Sequence, residues 1–279
     1  MAEEPRERHV RGMAAVAICA RRCAVLLPVV GVMVVLRAAP AVAYRPFIST
    51  DAAVAERREL EIELGYLGLD RTSRGTVYTV PNLVLNYGVV DDVELVGQFL
   101  LQEQAGEDLQ VVEPELSLKT VLKDGVLQEQ PGVSVAVETS LLLPSTLEGE
   151  GRVGFEAVGI VSGRLSRLTS HLNLGGGVDR RASNPLVLWG LISALPIDPQ
   201  LRLVNEINGE SAEGAAAKNS GLLGAIWQPC ESDVAFDVGV RKGFSRAVPD
   251  WGITVGLTFA WAPFASAGEE RPSRTSAGL

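Results

Sequence analysis

The chain has 279 residues, a formal net charge of −9 at neutral pH, and 47% apolar side chains with 29 glycines. A chain of this length suits one large domain or two small ones. Nucleic-acid binding needs a basic surface that neutralises phosphates, so the excess of acidic residues excludes a nucleic-acid partner.

Residues 1–43 have the organisation of a secretion signal peptide. Six arginines lie in this segment, an apolar run at 24–36 follows Arg22, and the small residues 41–43 provide a cleavage site. The apolar run is shorter than the about 20 residues that a helix needs to span a bilayer. We therefore predict that 1–43 is removed on export by the general secretion route, and that a lead-in segment, 44–57, follows it.

Alternation of apolar and polar side chains begins at residue 58 and continues to residue 263. Such a period of two is that of a strand. In the first strand the two faces separate cleanly, with Leu60, Ile62, Leu64 and Tyr66 opposite Glu59, Glu61 and Glu63. In the second, the pattern puts Thr79 on the apolar face and Tyr78 on the polar face. The predicted strands are 58–68, 76–88, 92–102, 112–122, 132–143, 152–165, 170–180, 185–195, 200–209, 219–228, 232–243 and 251–263.

The lengths of these strands and of their connections favour a membrane barrel. A tilted strand crosses a bilayer with about 9–11 residues, whereas strands of soluble proteins most often have about 5–6. Outer-membrane barrels also alternate longer extracellular loops with short periplasmic turns. We predict outward connections at 69–75, 144–151, 210–218 and 244–250, and periplasmic turns at 89–91, 196–199 and 229–231. The connection 123–131 is long for a periplasmic turn.

The prediction is therefore an all-β protein, an antiparallel up-and-down transmembrane β-barrel of about 12 strands over 58–263, with a polar C-terminal tail at 264–279. Its apolar face would contact lipid, and its polar face, rich in Gly, Ser, Asn and Glu, would line the lumen. Charged residues in a lumen can set pore selectivity, and an acidic lumen favours cations. The charged lumen candidates are Glu59, Glu61, Glu63, Glu115, Lys119, Glu138, Glu156, Arg164, Arg202, Glu206 and Arg241.

Several short segments of the mature chain resemble a known family. They are 45–52, 59–66, 81–88, 92–95, Leu143 with Pro144, Asn205 and Glu206 with Gly209, 239–241 and 256–259. In these segments the chain resembles the small outer-membrane β-barrels assigned as transporters of the meta-pathway of phenol degradation type. The resemblance implies an outer-membrane barrel that takes up small, aromatic or hydrophobic molecules.

Residue types that could support catalysis or metal binding are few. Cys230 is the only cysteine after residue 43, which rules out a disulfide framework or a thiolate metal site. His171 shares a predicted strand face with Asn173, an arrangement that a barrel hydrolase would complete with a serine within about 3 Å of the imidazole. Since no serine motif accompanies them, we expect no catalytic residue, no cofactor and no metal, and the protein is not expected to be an enzyme.

The sequence thus predicts a passive channel or uptake barrel for small molecules in the outer membrane of a Gram-negative cell. Its expected partners are outer-membrane lipid, the barrel-assembly machinery and a small-molecule permeant. Two alternatives remain open at this point: a structural or envelope barrel without a transport role, and a secreted soluble β-sandwich.

Overall fold

The computed structural model describes residues 45–73, 75–104, 107–229 and 232–261. The predicted signal peptide, 1–43, and the polar tail, 264–279, lie outside these described residues. The lead-in segment is described from Arg45 onwards.

Twelve antiparallel strands of 9 to 16 residues form one closed barrel. Each strand pairs with its neighbours in sequence, and the last strand closes the barrel by pairing with the first. The strands are β1 (Leu60–Thr72), β2 (Gly75–Val90), β3 (Val93–Gln104), β4 (Gln110–Lys123), β5 (Ser134–Leu142), β6 (Gly154–Leu165), β7 (Leu168–Val178), β8 (Pro185–Pro196), β9 (Leu201–Ala212), β10 (Lys218–Trp227), β11 (Val234–Gly243) and β12 (Trp251–Trp261).

All twelve predicted strands are confirmed, most of them to within a few residues at each end. The predicted outward connection 69–75 is wrong, because β1 continues to Thr72 and only residues 73–74 separate it from β2. Leu69 and Asp70 pair with Tyr78 and Val77 across this hairpin. Residues 69–72 therefore extend the strand instead of forming a loop.

The predicted faces of Tyr78 and Thr79 are also wrong. Tyr78 is exposed on the outer surface, whereas Thr79 is buried on the inner one. The register between β2 and β3 shifts between Thr79 and Asn82, around Pro81. Proline has no amide hydrogen to donate to the ladder, so strands accommodate it at such irregularities, and residues on one side of the shift change face.

The outer face of the barrel is apolar, whereas the inner face carries buried polar and charged side chains together with small apolar clusters. On β9, for example, Leu203 and Ile207 are 47% and 43% exposed, whereas Glu206 and Asn208, on either side of Ile207, are 1% and 8% exposed. Such an arrangement is stable in lipid, where a closed barrel leaves no unpaired strand edge. It excludes the soluble β-sandwich, whose large apolar side chains would point into a core between two sheets.

Aromatic side chains lie near strand ends on the outer face, as in an interfacial girdle. Trp227, the last residue of β10, stacks on Phe236 near the start of β11, with ring centroids 5.7 Å apart. Trp251 and Trp261 are the first and last residues of β12. We call the end of the barrel at which β1 begins and β12 ends the lower end. Among the described residues, no helix is long and apolar enough to cross a membrane.

The connection between β4 and β5, long for a turn at the lower end, folds against the inside of the barrel. It contains a single 3-10 turn, Val126–Gln128. The Leu127 amide donates to Ser134 Oγ at 3.0 Å, and the Leu127 side chain packs on a buried apolar cluster that includes Ala136 and Ile160. The extra length of this connection therefore serves an internal contact.

Candidate functional site

The lead-in segment lies inside the barrel and follows its inner wall. We call residues 45–57 the lumen segment. From its first residue onwards it contacts β11 and β12, then β9, β7, β6, β3 and finally β2. It then continues into β1, so that the chain passes around almost the whole inner circumference before the barrel begins.

The central part of the lumen segment is held by two polar side chains of the wall. Glu206 on β9 accepts hydrogen bonds from the amides of Ile48, at 3.1 Å, and Ser49, at 2.7 Å. Asn173 on β7 bonds both main-chain groups of Thr50: its Oδ1 accepts from the amide at 3.1 Å and its Nδ2 donates to the carbonyl at 2.7 Å. These contacts fix three consecutive residues at mid-barrel.

The later part of the segment is held in the same way towards the lower end. The Ala52 amide donates to Ser162 Oγ at 3.0 Å, and the Ala52 carbonyl accepts from Gln128 Nε2 at 2.8 Å. The Ala55 amide donates to Glu94 Oε2 at 2.6 Å. Gln128 belongs to the long connection between β4 and β5, which therefore contributes directly to closing the lumen.

A buried ion pair anchors the start of the segment. Arg45 Nε lies 3.4 Å from Asp237 Oδ2, and the two side chains are 5% and 0% exposed. Arg45 Nη2 also donates to Thr254 Oγ1 at 2.7 Å. Removing one member of a buried ion pair leaves an uncompensated charge, which is strongly destabilising. The segment is therefore held by charge as well as by main-chain hydrogen bonds.

Apolar contacts supplement these polar ones. Phe47 packs against a buried cluster contributed by β9, β10 and β11, formed by Val204, Leu222, Ile226 and Ala235. Ala52 is completely buried in a second cluster with Ala136 and Ile160. Burial of such side chains contributes roughly 25 cal/mol per Å² of apolar surface removed from water.

Glycines of the wall make room for the segment. A Cβ at Gly190 on β8 would overlap the hydroxyl of Ser49, and a Cβ at Gly88 on β2 would overlap the carbonyl of Glu56. Gly65 faces the Arg45 guanidinium, where a Cβ would lie 2.5 Å from Nη1. The wall is thus shaped to the segment that lies on it.

A cavity of about 120 Å³ remains between the lumen segment and the wall formed by β1 to β5. A cavity of this size has room for several water molecules. One cationic residue, Lys119, lines this cavity together with carboxylates from both sides. The carboxylates are those of Asp51, Glu59, Glu61, Glu63, Glu94 and Glu138. This part of the lumen is therefore acidic.

Two contacts organise the charges around this cavity. Lys119 Nζ lies 3.0 Å from Glu94 Oε1, and the same Glu94 accepts the Ala55 amide through its other oxygen. Asn86 Nδ2 donates to Glu63 Oε1 at 3.0 Å. Glu94 therefore links the lumen segment to the charged wall.

The structure brings together some of the sequence-predicted lumen residues and separates others. Five of them line the cavity: Glu59, Glu61, Glu63, Lys119 and Glu138. Two others, Glu206 and Arg241, form an ion pair in which Oε2 lies 2.9 Å from Nη2, and this pair contacts the lumen segment. The remaining four do not line this cavity: Glu115, Glu156, Arg164 and Arg202.

Sequence reasoning missed several residues that hold the segment. Glu94 and Asp237 lie on the polar faces of their strands, so their alternation was a usable signal for an inward position. Arg45 and Gln128 lie outside the strands and carry no periodic signal. Their partners are Asp237 and the Ala52 carbonyl, and no local pattern connects residues so far apart in sequence.

A serine lies beside His171, as a hydrolase would need, but the lumen segment covers it. Ser162 Oγ lies 2.8 Å from His171 Nδ1. However, Ser162 is completely buried and its hydroxyl accepts the Ala52 amide, while Asn173 is occupied by Thr50. This arrangement holds the lumen segment, and while the segment is in place it covers the hydroxyl. Within the described residues, no group of three or more His, Cys, Asp or Glu side chains could hold a metal ion.

Comparison with known proteins supports the architecture. No protein-family model matches the sequence, and no curated protein matches it either. The fold is similar to that of an outer-membrane channel from Pseudomonas putida F1, with a TM-score of 0.53 at 12% identity over 75% of this chain and 97% of that one. An anion-selective porin from Comamonas acidovorans covers 73% of this chain and 98% of its own, at 6% identity and a TM-score of 0.40.

The first likeness agrees with a closed outer-membrane-type barrel, and at 12% identity it extends to the fold alone. The second, with its TM-score below 0.5, adds no argument. The assignment to the phenol-degradation group stays a prediction.

Proposed function

We propose that this protein is a passive outer-membrane channel for small molecules, closed at rest by the lumen segment. The observation that carries this proposal is the position of residues 45–57, inside a barrel whose wall is complete without them. Because each of the twelve strands pairs with two neighbours, the segment contributes no strand to the wall. It can move without opening the sheet.

The contacts that hold the segment are suited to reversible closure. They are hydrogen bonds, one buried ion pair and small apolar clusters, with no covalent link among them. A single hydrogen bond contributes about 0.5–1.5 kcal/mol net, and one to a charged group about 1.5–3 kcal/mol. A set of such contacts keeps the closed state dominant and still permits a minor open state.

The acidic cavity supports a preference for cations over anions in the open channel. Glu59, Glu61 and Glu63 project into the lumen side by side, and Glu138 faces the same cavity. Carboxylates that line a narrow passage raise the local concentration of cations and repel anions. The apolar cluster around Phe47 supports the finer part of the proposal, the passage of aromatic or hydrophobic molecules.

Planar-bilayer recordings and liposome swelling test the proposal on the purified full-length protein. We expect discrete conductance steps of low open probability, with influx of small neutral solutes that declines as their size increases. Aromatic solutes should enter faster than sugars of equal size if the apolar cluster contributes to selection. Absence of both conductance and swelling would overturn the channel.

A second candidate is an envelope barrel without a transport role, and the filling of the lumen favours it. If the segment never moved, the cavity of about 120 Å³ beside it would hold several water molecules but would give no wide passage. The two candidates differ in the mobility of the segment, so recordings on variants with a weakened segment separate them.

A further inference from the structure

Side chains of the barrel wall contact chiefly the main chain of the lumen segment. From Pro46 to Ala55, each hydrogen bond described above joins a wall side chain to a main-chain N–H or C=O of the segment. Main-chain groups are the same in every peptide apart from proline. These contacts therefore recognise a peptide as such and not one particular sequence.

The groups that hold the segment include both acceptors and donors. Arg241 donates to the Pro46 carbonyl at 3.4 Å, and Glu206 accepts from the amides two and three residues further along, those of Ile48 and Ser49. Asn173 then bonds the N–H and the C=O of Thr50 together. Further along, Ser162 accepts the amide of Ala52 and Gln128 donates to its carbonyl. An unoccupied wall would present this whole series to any peptide that can follow the same bent path.

The same wall has preferences for side chains at three points. Buried Asp237 offers a counter-charge to a cationic group, which Arg45 now provides. Two residues further along, the cluster around Phe47 takes an aromatic or large apolar side chain. Gly190 and the fully buried position of Ala52 accept only small side chains.

We infer that the open lumen is a binding track for short peptides, and that the lumen segment occupies this track in the closed state. The preferred peptide has a cationic group at its start, an apolar residue two positions later and small residues beyond. This inference names a substrate class for the proposed channel and rests on that proposed function, because the track is accessible only when the segment leaves.

The test uses the full-length chain with Ser49→Pro, which removes the N–H that donates to Glu206. Ala52→Pro, which removes the N–H that donates to Ser162, is a second variant. Both changes lie in the segment and outside every strand, so the barrel is preserved. Ser49→Ala is the matched control, because it retains the amide. The probe is a synthetic peptide with the sequence of residues 45–57.

Two measurements are made with this probe: block of the ion current in planar bilayers, and fluorescence anisotropy of the labelled peptide with the purified protein. We expect the peptide to bind Ser49→Pro and to block its current, and to bind Ser49→Ala far more weakly because the tethered segment competes. N-methylation of the peptide at the amide equivalent to Thr50 should weaken binding about tenfold, through loss of the bond to Asn173.

A double-mutant cycle identifies the contact responsible. In the Asn173→Leu background, N-methylation at the amide equivalent to Thr50 should cause no further loss of peptide affinity. The amide equivalent to Val54 makes no described contact with the wall, so N-methylation there should have little effect in either background. Binding that is absent, or that is unaffected by N-methylation at the Thr50 amide, would overturn the peptide track. Current without peptide binding would leave the channel standing and refute this inference alone, whereas peptide binding to a variant that never conducts would refute the channel.

Discussion

The carboxylate of Glu206 on β9 accepts a hydrogen bond of 2.7 Å from the backbone amide of Ser49 in the lumen segment. Its other oxygen lies 2.9 Å from Arg241 Nη2 on β11, and Glu206 is only 1% exposed. A buried carboxylate needs a counter-charge and hydrogen-bond donors. Glu206 obtains the first from the wall and the second from the segment, so it couples the two.

Replacing Glu206 with glutamine should loosen the lumen segment and increase channel opening. The glutamine retains one acceptor oxygen but loses the charge that strengthens its bonds to Ser49 and Arg241. Loss of a charge-assisted hydrogen bond costs about 2 kcal/mol, which corresponds to roughly a 30-fold increase in the open-to-closed ratio. Open probability in planar bilayers measures this ratio.

Glu210→Gln is the matched control for that change. Glu210 lies on the same strand and pairs with Lys218 at 2.8 Å near the barrel rim, where both side chains are partly exposed. Such surface pairs contribute little, so open probability should stay at the wild-type value. Equal effects of the two substitutions would show that Glu206 has no special role in closure.

Substitution of Gly190 by valine should displace the segment from the wall. A Cβ at this position would overlap the Ser49 hydroxyl and lie 2.8 Å from the Ser49 Cβ. Valine favours strands, so β8 should tolerate the change itself. We expect a higher conductance together with faster proteolysis of residues 45–57 when protease is present on the side to which the segment is released.

Gly159→Val on β6 provides the comparison. A Cβ at Gly159 would make only an ordinary contact of 3.7 Å, to the Leu174 carbonyl, and the residue is exposed on the outer face. This variant should conduct and resist proteolysis like the wild type. If Gly190→Val also behaves like the wild type, the fit between the segment and the wall does not keep the channel closed.

Neutralising the acidic face of β1 should reduce cation selectivity. The triple variant Glu59→Gln, Glu61→Gln and Glu63→Gln removes three of the carboxylates that line the cavity. The reversal potential in a salt gradient should shift towards that of a non-selective pore. Glu148→Gln, on the exposed connection between β5 and β6, should leave it unchanged. A wild-type channel that prefers anions would contradict the role given to these residues.

The sequence predicts the wall of this barrel well because each strand is specified locally. In β1 the alternation of three glutamates with large apolar residues is sufficient to put Glu59, Glu61 and Glu63 into one cavity. The pattern fails for Tyr78 and Thr79, beside the register shift around Pro81. A period of two has no means of showing a bulge, which changes the face of the residues beside it.

The lumen segment was much harder to predict than the wall. Its length was compatible with an internal position, but its 45–57 sequence has no periodicity that indicates a partner. The residues that hold it, such as Asn173 and Ser162, lie more than 100 positions away. Polar inward residues fill many barrels, and only the fold shows which of them meet the main chain of the segment.

The most direct test of the account is a reversible disulfide between the segment and the wall. In a Cys230→Ser background, Ser49→Cys with Gly190→Cys puts two thiols side by side. A Cβ at Gly190 would lie 2.8 Å from that of Ser49. A disulfide needs a Cβ–Cβ distance of about 3.5–4.5 Å, so the segment would have to shift by about 1 Å. The two single-cysteine variants are the controls. The account predicts no conductance when the pair is oxidised and conductance when a reductant is added during the same recording. Equal conductance before and after reduction, with the disulfide verified by mass spectrometry, would contradict closure by the lumen segment.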